Sequence, residues 1–300
     1  MKVYFFGGKG GVGKTTVSSA FAVKLSEEGK KVLLISTDPA HSLSDIFSER
    51  VEDEKEITEF LTVKEINIKK ELEEYKRKVL NLSKAVLKPQ MEAHLQKILT
   101  TLGESPGIED IVIFEALSKE IVHRKGKFDV FVIDTAPTGH TLGLLKTVGS
   151  LGNLFEEIIK LKKNIEELRS LSGREVRNTA LEYLRERKRR FSELSEIIYN
   201  HSEFIPILTP EKLPIEETYR LISSLKNKGI NVEKLIVNKI LPSKSEDPFL
   251  RSRKEVEEKY MSDIKKKFGH LKLILIPFME KEVVGYDKLK EFSTLLSGVF

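Results

Sequence analysis

From Gly8 to Thr15 the chain reads GKGGVGKT, a match to the pattern G-x-x-x-x-G-K-[ST]. A loop of that type wraps phosphate oxygens in backbone N–H groups, sets its lysine on the β- and γ-phosphates and offers its hydroxyl to Mg²⁺. Lys14 is the lysine, Thr15 the magnesium-ligating hydroxyl, and Thr16 falls near the α-phosphate. Gly8, Gly10, Gly11, Val12 and Gly13 form the wall of the loop around them. A second lysine, Lys9, stands five residues ahead of the usual one, and a phosphate loop needs only one lysine to bridge the phosphates.

Two acids stand where a phosphate site needs them. Asp134 ends the apolar run VFVID and opens DTAPTGHT; Asp38 ends another strand and opens DPAHSLSD. A carboxylate at the carboxyl edge of a sheet can organise the water shell of Mg²⁺, the role expected of Asp134. Proline and small polar residues follow each acid, which suits loops that track a γ-phosphate and rearrange when it leaves. A lone strand-end aspartate is commonly a cap. Two on one sheet edge beside a phosphate loop point to a site.

Such a site must be carried by a sheet. Apolar runs recur at residues 3–6, 32–36, 62–67, 130–134, 205–209, 234–238 and 273–277. Most lack alternation, as strands covered on both faces do, and helical patterns separate many of them. The expected fold is α/β: a mostly parallel, doubly wound phosphate-loop sheet flanked by helices. The first helix is expected in KTTVSSAFAVKLSEEG, so that its N-terminus adds partial positive charge at the phosphates. Residues 68–104 and 151–202 are long, charged and helical in period, and predict a helical subdomain inserted into a single ATPase domain spanning 1–300. The first carries Leu72, Val79, Leu80 and Leu87 as an apolar stripe. The second carries Leu154, Ile158, Leu161, Ile165 and Leu168, a break at Ser172-Gly173, then Leu184, Phe191, Leu194 and Ile198. The run RERKRR (185–190) is expected on the solvated face of a helix, and 242–252 as an exposed loop.

Composition narrows the chemistry. The 300 residues are 40% hydrophobic, enough for a sizeable core, and carry a net charge of only +5 spread along the chain, so no nucleic-acid partner is expected. There is no cysteine, which excludes disulfides, thiolate metal sites and thiol catalysis; no zinc is expected. Lys and Glu dominate the polar residues, a trend of heat-adapted proteins. With a strand expected from residue 2 and no apolar run near ~20 residues, the chain is expected to be soluble and cytoplasmic, without a targeting or membrane-spanning segment.

Taken together, KGGVGKTT, STDPAHSLSD and DTAPTGHT resemble the ArsA family of ATPases. The family includes the arsenite-pump ATPase and the targeting factor for tail-anchored membrane proteins. EKLPIEET (211–218), IVNK (236–239) and the segment IPFMEKEVVGYDKL are similar to further family landmarks, so the resemblance runs the length of the chain. It implies ATP and Mg²⁺ as ligands and a homodimer, with Lys9 reaching the partner's nucleotide as a cation supplied in trans. It further implies that Asp38 orients the attacking water, that Asn238 reads the adenine edge, and that Pro277 and Phe278 pack near the base.

The departures matter equally. Arsenite-pump members bind metalloid through cysteines, and targeting factors often share zinc across the dimer through a Cys-x-x-Cys pair; this chain has neither. The resemblance therefore implies first a dimeric ATP-hydrolysing targeting factor that shields hydrophobic helical clients, with a membrane receptor as a further partner. An oxyanion-pump-driving ATPase and a partition or positioning ATPase are the alternatives.

Overall fold

The computed structural model describes residues 1–38, 42–84, 108–135, 179–242 and 246–299. The strands β1 (Lys2–Gly7), β2 (Val32–Ser36) and β5 (Val130–Asp134) are buried throughout save for Lys2, and mostly apolar, β2 and β5 each ending in a buried polar residue, Ser36 and Asp134. With β3 (Glu54–Thr58), β4 (Leu61–Glu65), β6 (Ser202–Leu208), β7 (Lys234–Ile240) and β8 (Lys272–Pro277) they form one eight-stranded sheet in the order β3-β4-β2-β5-β1-β6-β7-β8. Every pairing is parallel except β3 with β4. The α/β phosphate-loop architecture expected from the sequence is present.

β3 has no counterpart among the expected strands. Its residues, EKEIT, are charged and half-exposed, because it closes the sheet as an antiparallel edge. Charge on an edge strand discourages pairing with other chains, and it also removes the apolar run by which a strand is recognised.

The helix α1 (Lys14–Glu27) lies against the sheet centre and is buried along most of its circumference. Phe21 meets Tyr4 and Phe6 edge-on, ring centroids 4.9 and 5.2 Å apart. Such pairs contribute about 0.5–1.5 kcal/mol beyond their buried area. Further along lie the short α2 (Ser42–Phe47), then α6 (Lys212–Asn227), α7 (Pro248–Phe268), α8 (Tyr286–Ser293) and a 3₁₀ turn (Thr294–Val299); the numbers α3 to α5 belong to helices given below. Leu289, Phe292 and Leu296 join the core that α1 forms with the sheet. α7 starts inside the segment expected as loop: the Asp247 carboxylate accepts from the N–H groups of Phe249 and Leu250, with Pro248 in the first turn.

The chain divides into two compact units: residues 1–66, 125–142 and 198–300 carry the sheet, and 67–124 with 143–197 form a helical unit. The helical unit contains α3 (Ile68–Lys84), α4 (Ile108–Arg124) and most of α5 (Thr179–Asn200). Of the apolar stripes expected here, Phe191 and Leu194 are buried and Leu72 is half-buried; Leu87 and residues 151–178 lie outside the described residues. Two of the four arginines of RERKRR correct the expectation of a solvated face, while Arg185 and Arg189 are exposed as expected. Arg187 and Arg190 are buried on Glu115 of α4, at 2.5 and 2.8 Å, while the Arg187 guanidinium lies 4.7 Å from the Tyr75 ring centre. Two guanidiniums sharing one carboxylate satisfy both of its oxygens, which is what a buried charge requires.

Candidate active site

Strand register brings the expected site together. Phe6 of β1 and Ser36 of β2 both lie level with Asp134 of β5, so three carboxyl ends finish side by side. β1 sits between β5 and β6, and the loop after it springs from mid-sheet, a usual ligand position in open α/β sheets. The strand ends are tied: Thr37 N–H donates to the Asp134 carbonyl at 3.0 Å, and the Thr135 hydroxyl to the Phe6 carbonyl at 2.8 Å.

Two glycines explain why the loop can follow its path. A Cβ at Gly8 would sit 2.3 Å from the Ile207 carbonyl oxygen of β6, so the loop runs hard against the neighbouring strand. Gly13 has φ +92° and caps α1; a side chain there would also meet Asn238 Nδ2 at 2.5 Å. Val12 anchors the loop, 1% exposed, while Gly10 and Gly11 form its exposed crest. Thr15 and Thr16 stand half-buried in the first turn of α1.

Lys14 is buried at 6% exposure, and its ammonium reaches back to the Lys9 carbonyl over a long 3.4 Å. The Thr15 hydroxyl donates to Asp134 Oδ2 at 2.6 Å. Asp134 is fully buried, and its Oδ1 has no hydrogen-bond partner among the described residues. Burial pushes its carboxyl up to about 7, with the Asp38 charge adding to the rise; the Thr15 bond and the Lys14 charge oppose it. A buried carboxylate oxygen without a donor, beside a threonine hydroxyl, fits a hard divalent cation. Among the described residues no group of three or more His, Cys, Asp or Glu could hold a metal by itself. Mg²⁺ here would therefore share its coordination with substrate phosphates and water.

Asp38 lies two residues past β2, half-buried, its N–H donating to the Ser36 hydroxyl at 3.2 Å. Residues 39–41 and 136–150, which complete the two acid-led motifs, lie outside the described residues. Lys9 pairs with Glu217 of α6 at 3.6 Å, each side chain about one-third exposed. Asn238 is buried and donates to the Val12 carbonyl at 2.9 Å. Beside it a cleft of about 180 Å³ is lined by Thr209, Lys239, Leu241, Tyr260 and Phe278 among others. Pro277 ends β8 at the surface, and Phe278 is exposed, its N–H bonded to the Ile240 carbonyl at 2.8 Å.

Lys239, Glu217 and the Asn238–Val12 bond were not legible beforehand. Each joins residues more than two hundred positions apart, so no local spacing could signal them.

A phosphate loop, a buried lysine and a strand-end acid bonded to the loop threonine define a phosphate-loop nucleotide hydrolase. Within that class the chain belongs to the anion-transporting ATPase family, whose model matches residues 1–298, and it hydrolyses ATP. It is 60% identical, over 99% of both chains, to a protein of Aquifex aeolicus named putative arsenical pump-driving ATPase 2. It is 32% identical to the ATPase ASNA1 homolog of Entamoeba histolytica, covering 98% of this chain and 93% of that one. Against the ATPase get3 of Pyrenophora tritici-repentis the identity is 28%, over 99% and 91%.

Proposed function

We propose that two copies of this chain form an ATP-driven carrier that shields hydrophobic helices of membrane proteins and releases them as ATP is spent. Lys14 holds the phosphates, Thr15 and Asp134 hold Mg²⁺, and Asp38 orients the attacking water. Lys9 serves the partner's nucleotide. Mg²⁺ supplies charge neutralisation on the phosphate oxygens. Phe278 and Pro277 flank the base, and Asn238, bonded to the loop, links base and phosphate recognition.

One observation carries the choice among clients. The chain has no cysteine, hence no thiolate for a soft metalloid, while its family resemblance includes carriers of tail-anchored helices. Among the described residues no helix is long and apolar enough to cross a membrane, so a membrane helix would enter as cargo. The test is capture of a hydrophobic helical peptide of ~20 residues by the full chain. Retention with a non-hydrolysable ATP analogue and release with ADP is the expected result; equal binding in both states overturns the proposal.

The name of the Aquifex aeolicus relative favours a second reading, an ATPase that drives an arsenical pump. Without cysteine it would have to bind the oxyanion through histidine and basic side chains. Stimulation of ATP hydrolysis by arsenite would carry that reading, and no stimulation would remove it.

A further inference from the structure

β7 ends abnormally. Its pairing with β8 shifts register between Val237 and Ile240, and Lys239, inside the shift, has φ 61°. Lysine is disfavoured in the left-handed region, because its Cβ crowds the following carbonyl. Such a conformation persists where surrounding contacts outweigh it, and here two hydrogen bonds to the phosphate loop hold it. In a regular strand Asn238 and Lys239 would point to opposite faces. Instead both donate to the same loop: Asn238 Nδ2 to the Val12 carbonyl at 2.9 Å and Lys239 Nζ to the Gly11 carbonyl at 2.8 Å. A bulge re-aims a side chain in this way.

The two bonded carbonyls belong to consecutive peptide units. In a planar trans peptide the N–H points opposite to the C=O. Holding the Gly11 carbonyl therefore sets the direction of the Val12 N–H, which closes a turn on the Lys9 carbonyl at 3.5 Å. That same carbonyl receives the Lys14 ammonium. Lys239 is thus one bond from the turn that positions both loop lysines, although it is exposed and two strands away from β1.

We infer that Lys239 is a positioning residue for a nucleoside di- or triphosphate: aimed by the left-handed backbone at the end of β7, its ammonium holds the Gly11 carbonyl and keeps the Lys9–Val12 turn in the shape that takes the phosphates. The inference rests on the phosphate-loop reading of Gly8 to Thr16. It adds to that reading a side chain outside the motif.

The experiment compares Lys239→Asn, Lys239→Arg and Lys14→Ala in the full chain, measuring ATP and ADP affinity by calorimetry with Mg²⁺, and thermal midpoint without nucleotide. Asparagine accepts φ 61° better than lysine does but cannot span to Gly11. Lys239→Asn should weaken both nucleotides about tenfold, the loss of one charge-assisted bond. Its midpoint should stay level or rise, since strain is relieved. Lys239→Arg should bind within about threefold of wild type, because its longer fork still reaches a carbonyl. The loss should be alike for ATP and ADP and should persist in about 0.5 M salt, where long-range charge is screened. Wild-type affinity in Lys239→Asn overturns the inference. So does a loss that is larger for ATP and fades with salt, or a lowered midpoint without rescue by arginine. Lys14→Ala separates the levels: if it too binds ATP normally, the phosphate-loop reading fails, whereas lost binding there with normal binding in Lys239→Asn defeats the role of Lys239 alone.

Discussion

Replacing Asp134 with asparagine should stabilise the metal- and nucleotide-free protein more at pH 8 than at pH 5. The carboxyl is fully buried, with one oxygen lacking a donor among the described residues. Burial lifts its pKa from 3.8 to about 7. Between those values the unfolded chain has shed a proton that the folded chain keeps, so stability falls as pH rises from about 4 to about 7 and then levels off. At pH 8 the full shift of about three units applies, a penalty of about 4 kcal/mol. At pH 5 only the span from the unfolded pKa to the ambient pH counts, about 1.6 kcal/mol.

Asparagine is neutral and can still accept from the Thr15 hydroxyl, but its amide N–H₂ replaces an oxygen that has no hydrogen-bond partner among the described residues, and counts as left unpaired. That costs about 1–3 kcal/mol at either pH. The variant should therefore be more stable than wild type by about 1–3 kcal/mol at pH 8, and between about 0.6 kcal/mol more and about 1.4 kcal/mol less stable at pH 5. The change in the gap, about 2.5 kcal/mol, is free of the amide term. At about 2–4 °C per kcal/mol it should move the midpoint gap by roughly 5–10 °C. The chain has no tryptophan, so the assay is thermal unfolding by far-UV circular dichroism, with chelator present. A gap that is the same at pH 5 and pH 8 would refute the reasoning, and so would a variant less stable at pH 8.

Three further outcomes are expected. Asp38→Asn should keep ATP affinity nearly intact and slow single-turnover hydrolysis by about 10²–10⁴-fold, because the amide cannot polarise water; near wild-type turnover removes Asp38 from the chemistry. Lys9→Ala should bind ATP yet lose about 10³-fold or more in hydrolysis; verified heterodimers with Asp38→Asn chains should recover toward half of wild-type activity, and silence there sinks the trans role. Glu115→Gln should destabilise the helical unit by about 3–5 kcal/mol, leaving the Arg187 and Arg190 charges buried without their carboxylate; protection from amide exchange in α4 and α5 is the readout, and unchanged protection refutes it.

What could be read in the sequence follows from how local each feature is. β2 and β5 appear with their observed bounds, because strands covered on both faces read as near-continuous apolar runs, broken here only at their last residues, Ser36 and Asp134. The edge strand β3 obeys the opposite demand and leaves no such trace. Gly8 and Gly13 are visible as a pattern because the loop's curvature is a local backbone property. The burial of Arg187 and Arg190 was not visible: a basic run on a helix reads as solvated until a carboxylate seventy-odd positions away is known to face it. Lys239 is the extreme case. Its type, in a strand-end IVNK, says nothing of a left-handed backbone or of Gly11.

The two lysines of the loop differ in what holds them, and the difference suits the roles proposed for them. Lys14 is buried at the start of α1 beside fully buried Asp134, so moving its ammonium would strand a charge in the core. Such a group is preset for phosphates bound to its own chain. Lys9 stands at the loop's rim, paired with Glu217 at 3.6 Å with both side chains about one-third exposed. A pair of that geometry contributes only about 0.2–1 kcal/mol. The contact is a resting place in a single copy, and it sets no barrier that a partner's triphosphate could not overcome. A triphosphate offers several negative charges in a drier setting, where each Coulomb contact counts for more than at the surface. On the role proposed for it, Lys9 is held loosely enough to be delivered across a dimer, while Lys14 already sits at the phosphate site of its own chain.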